Sequence, residues 1–217
     1  MIMEEEASSK PQKQVVLIID HDNMHLGVQD WLHENKYKIQ IIKEVAEKYG
    51  VVCKDLSKVY LGPYYHEVQG REKRLKYNNT PESRKWKKEL KNQRHYLESF
   101  NRIGMKYTIT ESHNKKSLAD QYILCNIMEM LHHNPKIDVF VLCTGDKDFI
   151  PLVKEIKKHG KMAVGIGVGN GNDRGENSFS DYLIDTYAKC DFESYNYTEL
   201  KKTWDEKHKP KFDTKGE

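Results

Sequence analysis

Hydrophobic positions along this chain follow two rhythms that take turns from end to end. Residues 15–20 are an unbroken apolar, β-branched run closed by Asp20, the pattern of a strand covered on both faces. Residues 57–61, 137–143 and 162–168 read as further strands, 105–110 alternates as a strand does, and 191–195 is a last short one. Between them apolar residues recur at helical spacing. Residues 39–49 place Ile41, Ile42, Val45, Ala46 and Tyr49 on one side before Gly50. Residues 82–103 carry Trp86, Leu90, Leu97 and Phe100 on one stripe and stop before Gly104. Further helices are predicted over 117–132, over 149–159 with Pro151 in the first turn and Gly160 at the end, and over 178–188. Asp22 or Asn23 is placed to cap one more helix or turn after the first strand. Residues 64–81 have no period and read as a polar insertion, and 169–177 as a Gly/Asn-rich loop.

Strands alternating with helices predict an α/β fold: a mostly parallel sheet with helices on both faces. One domain spans 14–195, with a flexible lead-in over 1–13 and a loose, Lys-rich tail over 196–217. A chain of 217 residues can bury one sizeable core. With 37% hydrophobic and 32% charged residues it is polar but globular. No run approaches the roughly 18 apolar residues of a membrane span, and the start has no apolar signal core. Cys53, Cys125, Cys143 and Cys190 lie far apart with no C-x-x-C pair, which predicts buried free thiols, a reducing cytoplasm and no zinc ribbon. His132 and His133 fall at a helix end, where a capping or solvent role is expected.

A net charge of +3 hides a strong local bias. Residues 71–116 hold fourteen Lys/Arg against five Glu and no Asp, with Tyr77, Trp86, Tyr96, Phe100 and Tyr107 interleaved. Such a block is either a solvated helix face or a surface for the phosphates of a nucleic acid. Arg84, Lys87, Lys88, Lys91, Arg94, Lys115 and Lys116 are the candidates to hold that backbone.

Acids gather where an open α/β sheet binds ligands, beyond the carboxyl ends of its strands. Asp20 closes the first strand with Asp22 and Asn23 behind it, Thr144-Gly145-Asp146-Lys147-Asp148 follows the strand over 137–143, and Asp120 opens a helix. Crowded carboxylates repel one another unless a cation neutralises them, and oxygen-only ligands favour Mg²⁺ or Mn²⁺ over zinc. Each acid also has a structural reading. Asp120 fits a capping box with Ser117, Asp148 an N-cap before Phe149, and Asp22 a cap for the next helix. Asp20 and Asp146, ending buried strands, need a partner in either case.

The run Val16-Leu17-Ile18-Ile19-Asp20-His21-Asp22-Asn23 resembles the D-x-x-N start of the NYN (LabA-like) domains of the PIN-like nuclease superfamily. Lys115-Lys116-Ser117-Leu118-Ala119-Asp120 resembles the stretch that carries that family's second acid. Thr144-Gly145-Asp146-Lys147-Asp148-Phe149-Ile150-Pro151 is similar to its S/T-G-D-x-D-F-x-P motif, the individually specific element of the match. The resemblance implies a PIN-like three-layer sandwich and an Mg²⁺ or Mn²⁺ site of Asp20, Asp120, Asp146 and Asp148. It places Asn23 and Thr144 in support, with Asp22 beside them and Ser178 at the pocket edge or as a helix cap. The implied activity is metal-dependent endonucleolytic cleavage, RNA preferred over DNA, by a metal-activated water. The insertion over 64–81 departs from the pattern. Two other readings stay open: a non-catalytic RNA-binding module of the same fold, and a haloacid-dehalogenase-like phosphatase, whose first motif is also a strand ending D-x-D.

Overall fold

The computed structural model describes residues 12–32, 34, 36–62, 80–113, 116–168 and 193–209. β1 (Gln14–Asp20) is followed at once by α1 (His21–Leu32), then by α2 (Ile39–Glu47), β2 (Val51–Val52) and β3 (Lys58–Leu61). The long α3 (Pro81–Arg102) leads into β4 (Lys106–Ile109), a small antiparallel pair β5 (Ser112–His113) and β6 (Lys116–Ser117), and α4 (Ala119–His133). β7 (Ile137–Cys143), a 3₁₀ turn (Lys147–Phe149), α5 (Ile150–Lys158), β8 (Met162–Gly167), β9 (Glu193–Asn196) and α6 (Tyr197–Lys207) complete the order.

The main sheet runs β4-β3-β1-β7-β8-β9, with β2 beside the start of β1, and every pairing in it is parallel. Parallel strands covered on both faces need apolar side chains pointing both ways, which is why β1 reads Val-Val-Leu-Ile-Ile with every residue buried. Val15, Leu17 and Ile19 face one layer, with α1, α2, α3 and α6 through Met24, Ile42, Phe100 and Tyr197. Val16 and Ile18 face the other, with α4 and α5 through Ile123, Ile127, Val153 and Ile156. The expected three-layer α/β sandwich is therefore the observed one.

Local chemistry sets the element ends. Thr80 caps α3, its hydroxyl accepting from the Ser83 N–H at 3.2 Å, with Pro81 in the first turn. Gly104, at φ 76°, makes the left-handed exit from α3 into β4. Two expectations need correction. The stretch after Asn196 is not a loose tail: residues 197–207 form α6, capped by the Asn196 side chain on the Thr198 N–H. Its Lys-rich composition concealed an apolar stripe, in which Tyr197 is fully buried and Leu200 and Trp204 pack on the core. Cys125 is an exposed thiol on α4, whereas Cys143 is buried as expected. The predicted helix over 178–188 and Cys190 lie outside the described residues. His132 and His133 do close a helix, in the last turn of α4.

Candidate active site

The sheet reverses its direction of growth at β1: β3 and β4 extend it on one side, β7, β8 and β9 on the other. At such a switch the loops leaving two adjacent strands diverge and open a crevice above their carboxyl ends. β1 and β7 are neighbours in register up to Ile19 opposite Cys143, so Asp20 and Thr144 leave the sheet side by side.

Asp20 is 5% exposed. One carboxylate oxygen accepts from the Asn23 N–H at 3.3 Å, so Asp20 itself, rather than Asp22 or Asn23, caps α1. Its other oxygen accepts from the Thr144 hydroxyl at 3.2 Å, and that hydroxyl in turn accepts from the Asp146 N–H at 3.2 Å. Thr144 thus ties the ends of β1 and β7 together. The Asn23 side-chain oxygen makes a second tie, accepting from the Gly145 N–H at 2.5 Å.

The remaining acids surround this pair of ties. Asp146 caps the 3₁₀ turn, accepting from the Asp148 N–H at 2.9 Å. Asp148 is exposed and does not cap the helix that follows, which has no side-chain cap. The capping box expected at Ser117 is also not formed. Ser117 lies in β6, its hydroxyl accepts from the Ala119 N–H, and Leu118 occupies the cap position. Asp120, in the first turn of α4, is half-buried and close enough to feel other carboxylates. Burial, and then the charges of Asp146 and Asp148, push its pKa above the ordinary value. Burial lifts Asp20 to about 7, with Asp120 and Asp22 adding to the rise and the Asn23 N–H and Thr144 hydroxyl opposing it. Asp120 therefore links the acid of β1 to the acids after β7.

Among the described residues no group of three or more His, Cys, Asp or Glu side chains stands close enough to hold a metal ion alone. Magnesium does not require such a cage, since it commonly takes one or two carboxylates and completes its shell with water and substrate phosphates. The donor set fits that open type of site. It is oxygen-only, neighbouring carboxylates add to the rise in pKa that burial gives Asp20 and Asp120, and no cationic side chain among the described residues forms an ion pair with the buried Asp20.

Two residues outside the expected set shape this corner. The Gly62 N–H, just past β3, donates to Asp22 at 3.1 Å. A Cβ at Gly62 would lie 2.7 Å from the Asp22 carboxylate and 2.8 Å from the Ser117 hydroxyl. Gly62→Ala is therefore expected to push Asp22 aside and lower stability by roughly 1–3 kcal/mol, which a thermal melt would read as a fall of several degrees; an unchanged melt would mean the corner yields freely. The signal in the sequence was Leu61-Gly62-Pro63 at a strand end, which reads equally well as an ordinary turn.

The basic residues are carried by α3. Arg84, Lys87, Lys88, Lys91 and Arg94 are all exposed. α3 has 22 residues, about 33 Å of helix, and ends through Gly104 into the start of β4. Its later half packs into the core through Tyr96, Leu97 and Phe100, and its earlier half is anchored by the buried Ser83 and Leu90, with the cations on its exposed face. A crossover helix that ends where the next strand begins has its start at the carboxyl edge. The earlier, cationic turns of α3 thus flank the edge that carries the aspartates. Lys116 lies in β6 opposite His113; Lys115 and Ser178 lie outside the described residues.

A family model described as NYN domain matches residues 14–190. No curated protein and no solved structure matches the chain. The match favours the nuclease-type reading of the first strand over the dehalogenase-type one.

Proposed function

Since the chain belongs to the NYN domain family, a PIN-like nuclease family, we propose that it is a metal-dependent endoribonuclease that hydrolyses RNA phosphodiesters at the β1/β7 crevice. The observation that carries this reading is the coupled set of acids at the switch point, with Asp20 lifted to about 7 by burial and Asp120 raised by its acidic neighbours. Asp20 and Asp120 would hold Mg²⁺ or Mn²⁺, with Asp146 and Asp148 completing the anionic edge. When bound, such an ion lowers the pKa of a water and stabilises charge developing on a phosphodiester. Thr144 fixes the Asp20 carboxylate, and Asn23 fixes the turn that carries Asp146. The α3 cations grip the backbone, which positions the strand without reading its sequence.

A mixed pool of RNA and DNA incubated with Mn²⁺, Mg²⁺ or a chelator tests the proposal. Cleavage of RNA is expected with either ion and none with chelator. Asp146→Asn protein should still bind RNA while losing cleavage. A second reading is an RNA-binding module of the same fold that does not cut, since a fold does not fix its function. Binding without cleavage by the wild-type chain would establish that reading instead.

A further inference from the structure

The fold sorts the aromatic residues interleaved in the basic block. Tyr96 and Phe100, 7% and 0% exposed, are spent on the core, and Trp86 is half-buried. Tyr107 is 37% exposed and Ile109, two positions on, is 43% exposed. Both lie on β4, the end strand of the sheet among the described residues, and their spacing puts them on one face of it.

Register fixes which face. Tyr107 pairs with Val59 and Ile109 with Leu61, and both partners belong to the core layer that holds Tyr96 and Phe100 of α3. The uncovered stripe is therefore on the same side of the sheet as the cationic helix. The cross-strand row through Asp20 runs to Tyr60 on β3 and on to Thr108 on β4, the neighbour of Tyr107. Two strand spacings, about 10 Å, separate the Asp20 backbone from that point; Tyr60 belongs to the layer of α4 and α5, so the row through Asp20 faces away from Tyr107, and a strand bound at both would cross the carboxyl edge between the two faces.

Edge strands are usually blunted by charge or covered, because an apolar edge invites unwanted pairing. This one keeps an aromatic and an aliphatic side chain open on the side of the sheet that carries the Arg and Lys of α3. Symmetric pairing with a second copy would bring two such cationic helices near one another, whereas a polyanion with flat apolar bases satisfies both features.

We propose that Tyr107 is a stacking platform for a base of single-stranded RNA, extended by Ile109, that holds a nucleotide a few positions along the strand from the phosphate presented to the aspartates. It rests on the reading of the chain as an RNA-cleaving nuclease. A base inside a duplex has its faces occupied by its neighbours, while an unpaired base offers one to an aromatic ring.

The test measures binding by fluorescence anisotropy on Asp146→Asn protein, so the outcome does not depend on cutting. Tyr107→Ala should weaken binding of an unstructured RNA oligonucleotide about tenfold, leave binding of the same sequence as a duplex unchanged, and leave the melting temperature in place. Tyr107→Phe, which keeps the ring, should bind like the parent. With Asp146 intact, Tyr107→Ala should raise KM about tenfold with kcat unchanged. Equal affinity of Tyr107→Ala and parent, or an equal loss for duplex and single strand, overturns the proposal. Conversion of a dimer to a monomer in sedimentation, with RNA affinity unaltered, would assign the stripe to a second copy and overturn it too. Discrimination by Tyr107 in a chain that never cuts would uphold stacking and sink hydrolysis, so the two can fail separately.

Discussion

Asp20→Asn is expected to abolish RNA cleavage while making the metal-free protein more stable at neutral pH. The loss follows from the proposed role: stabilisation of phosphodiester charge by a held cation is worth several kcal/mol, so about a thousandfold in rate. The gain follows from burial. A carboxyl lifted from 3.8 to about 7 is costly to ionise inside the fold. Above pH 7 that cost is on the order of 4 kcal/mol, and an amide does not bear it. An Asn side-chain oxygen can still accept from the Asn23 N–H or the Thr144 hydroxyl, so the two ties to α1 and β7 need not both break. A thermal melt at pH 7.5 should show the variant several degrees above the parent. Adding Mg²⁺ or Mn²⁺ should narrow the gap by raising the parent alone. A variant that melts lower than the parent in chelator would show that Asp20 is held by something other than a cation.

The second large effect is a pH dependence that the parent conceals. His21, next in sequence, is buried among His25, Tyr37, Tyr96 and Phe100, with its Nδ1 3.0 Å from the Tyr37 hydroxyl. Burial, and then the neighbouring His25, depress its pKa from 6.5 to about 3. Between pH 3 and 6.5 the unfolded chain binds a proton there that the folded chain does not, so stability is present above 6.5 and is lost as pH falls toward 3. Asp20 works the other way. Between 3.8 and 7 the folded chain keeps a proton that the unfolded chain has released, so stability is present below 3.8 and lost as pH rises through 7. From about pH 4 to 6.5 the two slopes oppose each other, and stability of the metal-free parent should be nearly flat as far as this pair is concerned. Asp20→Asn removes one slope and exposes the other: its stability should climb by roughly 1.4 kcal/mol per pH unit over that window. Urea melts at pH 4.5, 5.5 and 6.5 would read it. Parallel profiles for parent and variant would show that the two groups do not titrate as described.

Much of this was legible from residue order because it rests on local rules. A strand covered on both faces must be apolar at consecutive positions, so β1 and β7 were found within a residue of their ends. The alternation of strands and helices determined the layered, parallel architecture, and the T-G-D-x-D-F-x-P run and Asp20 marked the carboxyl edge before any contact was known. Local rules failed where partners lie far away in sequence. α6 looked loose because its stripe gains its value only against α2 and the core, and Trp204 and Tyr197 find those partners more than 150 residues upstream. The caps moved because cap geometry depends on where a strand stops: Asp20 displaced Asp22 and Asn23, and Asp146 displaced Asp148. Tyr96, Phe100 and Tyr107 were indistinguishable as letters. Helix rotation put the first two inside, and a sheet edge left the third in water. The sequence by itself determined which chemical groups the chain owns and which elements carry them. Only tertiary packing decided which carboxylates share a crevice, which lose water, and which rings remain open, because burial and electrostatic coupling belong to surroundings assembled from distant segments.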